Sequence, residues 1–79
     1  MDKSNDPLIV FGHAVRTRRE SLGLSQEALA DLARVHRTYI GGIERGERNP
    51  TLKTMLKLSE ALETRLSDLI DLMERIGEA

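Results

Sequence analysis

A twenty-residue stretch from Gln26 to Arg45, QEALADLARVHRTYIGGIER, admits few folds. Its spacing predicts two short helices joined by a tight turn. Ser25 stands just before Gln26-Glu27-Ala28-Leu29 and offers its hydroxyl to the unpaired amides of a first helical turn. Leu29, Leu32 and Ala33 mark the apolar face of that helix. A second helix begins near His36 or Arg37 and turns Ile40 and Ile43 inward, leaving Arg37, Thr38, Tyr39, Gly41 and Gly42 on the outer side.

That outer face is small, polar and cationic, which suits it poorly to core packing. It is suited to the major groove of DNA, where Arg pairs with a guanine edge and the Thr methyl meets thymine. The surrounding segment from Arg19 to Thr51, RESLGLSQEALADLARVHRTYIGGIERGERNPT, resembles the Xre-type helix-turn-helix family of phage repressors, Cro proteins and small bacterial regulators. Within that family, the run from His36 to Ile40 followed by Ile43 to Asn49 is similar to the controller proteins of restriction-modification systems. The resemblance implies an all-α, compact five-helix domain like that of lambda repressor, with the helix-turn-helix at helices two and three.

The flanking segments read as the rest of such a domain. Residues 1–6 are expected to be a loose tail, and Pro7 sits at the first helical position, where its missing amide costs nothing. Helix one runs to about Leu22, with Leu8, Phe11, Val15 and Leu22 on one face; Gly12 inside it is a small liability, and Gly23 supplies a left-handed stop. Arg45-Gly46-Glu47-Arg48-Asn49-Pro50 forms a tight polar loop in which Gly46 ends the recognition helix, and Thr51 caps the next one. Helix four, about Leu52 to Glu63, turns Leu52, Met55, Ser59 and Leu62 to the core, with Leu56 and Leu58 off that line. The last helix spans Ser67 to about Gly77 within residues 66–79. Leu66, Leu69, Ile70, Leu72, Met73 and Ile76 there exceed what a small layer can bury, so Leu66, Ile70, Leu72, Met73 and Ile76 are expected at a homodimer interface.

The resemblance also implies roles for individual residues. Arg19, four residues before Gly23, is matched by an arginine that pairs with the glutamate ending the recognition helix, here Glu44. A bidentate guanidinium is a physically reasonable partner for a carboxylate that follows the core residue Ile43. Gln26 is matched by a glutamine that bonds the DNA backbone beside a helix start, where free amides favour anions and where Ser25 serves as both cap and phosphate contact. Arg37, Thr38 and Gly42 fall at positions that read bases. Tyr39, Arg45, Arg48 and Asn49 are expected on phosphate, which fixes register without reading sequence. Arg34 departs from the family pattern by standing where many members place Gly, Asn or Lys; it either reaches the DNA backbone or stays solvated. Gly41 and Gly42 fit either close approach to the groove wall or helix packing, Gly42 favouring the first. In related phage repressors an acidic patch on helix two touches RNA polymerase. Glu27 and Asp31, four apart here, are the residues so implied, against the plainer reading of a solvated face.

Charge and composition bound the alternatives. A net charge of −1 looks wrong for a DNA binder, but Arg16 to Lys57 carries nine cationic against five acidic residues, whereas Leu58 to Ala79 carries two against six. The 79 residues are expected to form one domain, closing before an effector domain could begin. There is no cysteine, so thiolate metal sites and disulfides are excluded, and His13 and His36 lie on different helices. No apolar run approaches the length of a membrane span and the start, MDKSNDP, is not a signal peptide; a cytoplasmic protein without cofactor is expected. No Ser, His and carboxylate constellation suggests an enzyme. The reading is therefore a homodimeric, sequence-specific transcriptional regulator, plausible as a controller acting on its own promoter. A DNA-binding antitoxin, a phage-type repressor and a pure protein-interaction module are the rivals.

Overall fold

The helices of this chain begin and end within two residues of where the sequence predicts. In the computed structural model, which describes residues 6–78, five helices follow one another: α1 (Pro7–Ser21), α2 (Gln26–Ala33), α3 (Arg37–Glu44), α4 (Leu52–Ala61) and α5 (Leu66–Glu78). Asp6, expected in the tail, instead caps α1 by accepting a bond from the Leu8 amide at 2.9 Å; residues 1–5 of that tail lie outside the described residues. Ser25 accepts from the Ala28 amide at 3.0 Å and Thr51 from the Thr54 amide at 3.2 Å, satisfying donors that a helix start leaves free. His36 stands at the cap of α3 but makes no side-chain capping bond.

The stops are left-handed residues. Gly23 (φ +71) follows α1 and Gly46 (φ +76) follows α3, with the Glu47 amide returning to the Gly42 carbonyl at 2.8 Å. Arg34 (φ 58) ends α2, and Glu63 (φ 55) follows α4. A side chain costs about 1 kcal/mol relative to glycine in that conformation. The turn between α2 and α3 nevertheless forms, closed by the Val35 amide on the Ala30 carbonyl at 3.0 Å.

α1 packs on both α5 and α3, while α2 packs on α3 and α4. The core is built from Phe11, Ala14 and Val15 of α1, Leu29, Ala30 and Ala33 of α2, Ile40 and Ile43 of α3, and Leu58, Leu62 and Leu69 beyond them. Two expectations fail here. Leu32 is 59% exposed, its place taken by Ala30, because α2 meets its neighbours along the line of Leu29, Ala30 and Ala33. On α4, Leu52 is 62% exposed and Leu58 is fully buried, so the buried stripe lies through Leu58, Ser59 and Leu62 rather than through Leu52. α4 also ends at Ala61, two residues before the expected Glu63, and α5 starts at Leu66, one before Ser67. Arg18 fastens this end of α4 to α1 by donating to the carbonyls of Leu62 (2.9 Å) and Glu63 (3.2 Å).

Candidate nucleic-acid interface

α3 is held in place by a buried charge pair. Glu44, its last residue, accepts two bonds from Arg19 of α1: Nε to Oε2 at 2.7 Å and Nη2 to Oε1 at 3.0 Å. The third guanidinium donor, Nη1, reaches the Leu24 carbonyl at 2.8 Å. Glu44 draws Arg19 further above its ordinary pKa, by hydrogen bond first and by charge as well, against the opposing effect of burial. Glu44 Oε1 also accepts from Gln26 Nε2 at 3.0 Å. One amide hydrogen of Gln26 is thus used within the protein.

From that anchor, Ile40 and Ile43 turn fully inward and Arg37 and Thr38 stand exposed on the first turn of α3. Tyr39 is half-buried against the core. Gly41 and Gly42 are not open as the sequence reading expected. Both are buried, although they lie one turn beyond Arg37 and Thr38 on the outer side, because arginine side chains from the following loop cover them. A Cβ on Gly41 would meet Arg45 Nη1 at 2.9 Å, and one on Gly42 would meet Arg48 Cγ at 2.7 Å. Two glycines in an eight-residue helix each cost about 0.8 to 1 kcal/mol against alanine, so helix propensity does not account for their presence.

The loop after α3 carries Arg45, Arg48 and Asn49 exposed, with Pro50 buried beneath them. Arg45 pairs with Glu47 at 3.1 Å, and its bond and charge hold the Glu47 carboxyl below the usual range. Ser25, Arg34 and Asn49 are exposed and Gln26 is half-buried. The sequence reading missed the Gln26 bond to Glu44 and the Glu47 bond to Arg45. The alternation of acidic Glu47 with Arg45 and Arg48 was a visible signal for the second; nothing in the spacing signalled the first. It also undervalued Gly12, whose missing Cβ would lie 2.3 Å from the Ile43 carbonyl oxygen.

Glu27 and Asp31 are both exposed on α2, beside a depression of about 280 Å³ that His36 and Arg37 also line. Leu66, Ile70, Leu72, Met73 and Ile76 of α5 are half-buried, packed on the core with one side still in solvent. Among the described residues no cluster of acidic or histidine side chains could hold a metal ion, and no helix is long and apolar enough to cross a membrane.

The sequence and the fold both have close counterparts. A profile described as helix-turn-helix matches residues 15–69. Control protein C.SmaI of Serratia marcescens is 46% identical over 61 residues, covering 77% of this chain and 73% of its own. The crystal structure of the restriction-modification controller protein C.AhdI from Aeromonas hydrophila superposes with a TM-score of 0.77 at 47% identity, covering 78% of this chain and 94% of that one. The controller protein C.Esp1396I, solved as a tetramer in complex with its natural 35 base-pair operator, gives a TM-score of 0.86 at 29% identity over 92% of this chain and 96% of its own.

Proposed function

This chain belongs to the Xre-type helix-turn-helix family, and from that premise we propose that it is a sequence-specific transcriptional regulator that binds operator half-sites as a homodimer, as a restriction-modification controller acting on its own promoter. The observation that carries the reading is the presentation of α3: its apolar side is buried, its end is locked by Glu44 and meets the capped start of α2 through Gln26, and Arg37 and Thr38 are exposed on its first turn. An α-helix so exposed fits the major groove. Arg37, Thr38 and Gly42 are assigned to the bases, and Ser25, Gln26, Arg34, Tyr39, Arg45, Arg48 and Asn49 to the backbone. The likeness to a controller bound to its operator supports the same placement. Membership of a family of transcription regulators favours a regulator over an enzyme, and the reading places it in the cytoplasm with its DNA.

The dimer is assigned to the solvent side of α5, where Ile70 and Met73 join Leu8, Phe11 and Met55 around an apolar groove of about 180 Å³. Base readout has its own test, made by mobility shift on a fragment bearing paired inverted half-sites. Arg37→Ala should lose about 1 to 3 kcal/mol of operator affinity and discriminate less at one base-pair position, while Arg48→Ala should weaken binding to all sequences alike. Equal losses on operator and random DNA for Arg37→Ala would count against base readout, and equal affinity for one half-site and two would count against the dimer.

Glu27 and Asp31 add a proposal about the promoter. They are exposed on α2 and belong to neither the core nor the ion pair, so they are free to touch RNA polymerase seated downstream. Being negative, they should repel phosphate if anything. Replacing them together, Glu27→Gln with Asp31→Asn, should leave operator binding equal or slightly tighter while promoter activation falls. Activation that persists with full binding would sink the contact.

A further inference from the structure

The glycines of this chain divide by what a side chain would strike. At Gly12 and Gly46 the obstacles include backbone: the Ile43 carbonyl oxygen at 2.3 Å and the Ile9 Cα at 2.8 Å. Those two serve the packing of α1 on the end of α3. At Gly41 and Gly42 the three nearest atoms a Cβ would meet belong to side chains: Arg45 and Gln26 at the first, Arg48 at the second. The Arg45 guanidinium, the far end of its side chain, swings aside cheaply from a Gly41 Cβ, whereas a Gly42 Cβ would drive Arg48 out of its rotamer at Cγ, a cost that the better helix propensity of alanine offsets.

What the paired glycines do is receive the two arginines. Arg48 Cγ, Cδ and Nε lie 2.7, 3.6 and 3.4 Å from the position of a Gly42 Cβ, so its stem runs flat across α3 at that point. Gly42 is four residues after Thr38, and Gly41 four after Arg37, so each arginine extends a row that begins with an exposed residue of the first turn. We infer that Gly41 and Gly42 form a seat for the Arg45 and Arg48 side chains, and that Gly42 governs operator affinity through the placement of Arg48 rather than by touching a base itself. This rests on the DNA-binding reading above and revises the role of Gly42 within it. A seated stem is already ordered before DNA arrives, so less rotamer freedom is lost when the guanidinium meets phosphate. Arg45 is held by Glu47 as well, so the cleaner test falls on Arg48.

Gly42→Ala, Arg48→Ala and the double variant form the test, with thermal unfolding as the control for folding. Gly42→Ala should melt no lower than the parent yet bind operator about tenfold more weakly, the scale of one charge-assisted bond to phosphate. In the Arg48→Ala background the same change should have almost no further effect. A Gly42→Ala loss of equal size with or without Arg48 would mean direct contact with DNA and overturn the seat; so would a melting temperature well below the parent's, which would make Gly42 a packing residue. Nuclear spin relaxation of the Arg48 Nε–H group in the DNA-free protein separates the seat from the DNA-binding reading. The group should be ordered in the parent and mobile in Gly42→Ala even if no operator is ever bound, and equal mobility in both would overturn the seat alone.

Discussion

Glu44→Ala is expected to lower the unfolding free energy by about 3 to 5 kcal/mol, the cost of stranding one partner of a buried ion pair. Arg19 and Glu44 side chains are only 11% and 3% exposed, and the carboxylate takes three hydrogen bonds, two from Arg19 and one from Gln26. Removing it leaves two guanidinium donors and one amide donor unpaired at the junction of α1, α2 and α3. Small domains hold only about 5 to 15 kcal/mol in total, so a substantial share of the stability goes with this one carboxylate. On a chain of this length such a loss corresponds to a fall in melting temperature on the order of 15 °C or more. Urea unfolding measures it directly. Replacing both partners by apolar residues, Arg19→Met with Glu44→Leu, should recover much of the loss, because no charge is then left buried. A Glu44→Ala protein that unfolds like the parent would show that the pair contributes nothing. The double variant should also separate folding from function, since it removes the acceptor that orients Gln26 at the start of α2.

Gly12→Ala should cost about 3 kcal/mol, at the upper end of what an inserted methyl group does to a packed interface. The new Cβ would lie 2.3 Å from the Ile43 oxygen and 2.6 Å from the Glu44 oxygen, both carbonyls of the α3 backbone. Neither can rotate away. α1 must instead separate from α3, and the Gly46 amide that bonds the Ile43 carbonyl at 3.0 Å would be drawn along. Propensity alone predicts the opposite sign, a gain of about 1 kcal/mol for alanine within a helix. Gly77→Ala is the matched control, since its Cβ would meet Val10 Cγ1 at an ordinary 3.5 Å and should be neutral or slightly stabilising. Denaturant unfolding of the two variants side by side decides the matter; if both behave alike, the close approach of α1 to α3 is wrong.

These two positions mark the limits of what could be read ahead. Ser25, Thr51, Gly23 and Gly46 announce helix boundaries because capping and left-handed stops depend on a residue and its next few neighbours, and all four act where expected. Arg34 likewise takes the left-handed turn despite its side chain, since the turn is closed from both sides by packed helices. Periodicity found Ile40 and Ile43 but misplaced Leu32 and Leu52, for a residue at the border of an apolar stripe is buried or exposed according to the angle at which the next helix crosses. Gly12, Gly41 and Gly42 look alike along the chain, each a weak point in a helix, yet one admits a backbone and the others admit arginine side chains.

The sequence by itself thus determined five helices, the caps and stops of most of them, the helix-turn-helix and the exposure of Arg37 and Thr38 on α3, which follow from local hydrogen bonding and the alternation of apolar and polar positions. Only the tertiary structure decided which leucines are core, that Gln26 is held by Glu44, and that Gly41 and Gly42 lie beneath Arg45 and Arg48. Those facts depend on distances of a few ångströms between residues far apart in the chain, and the spacing of residues along a single helix carries no record of them.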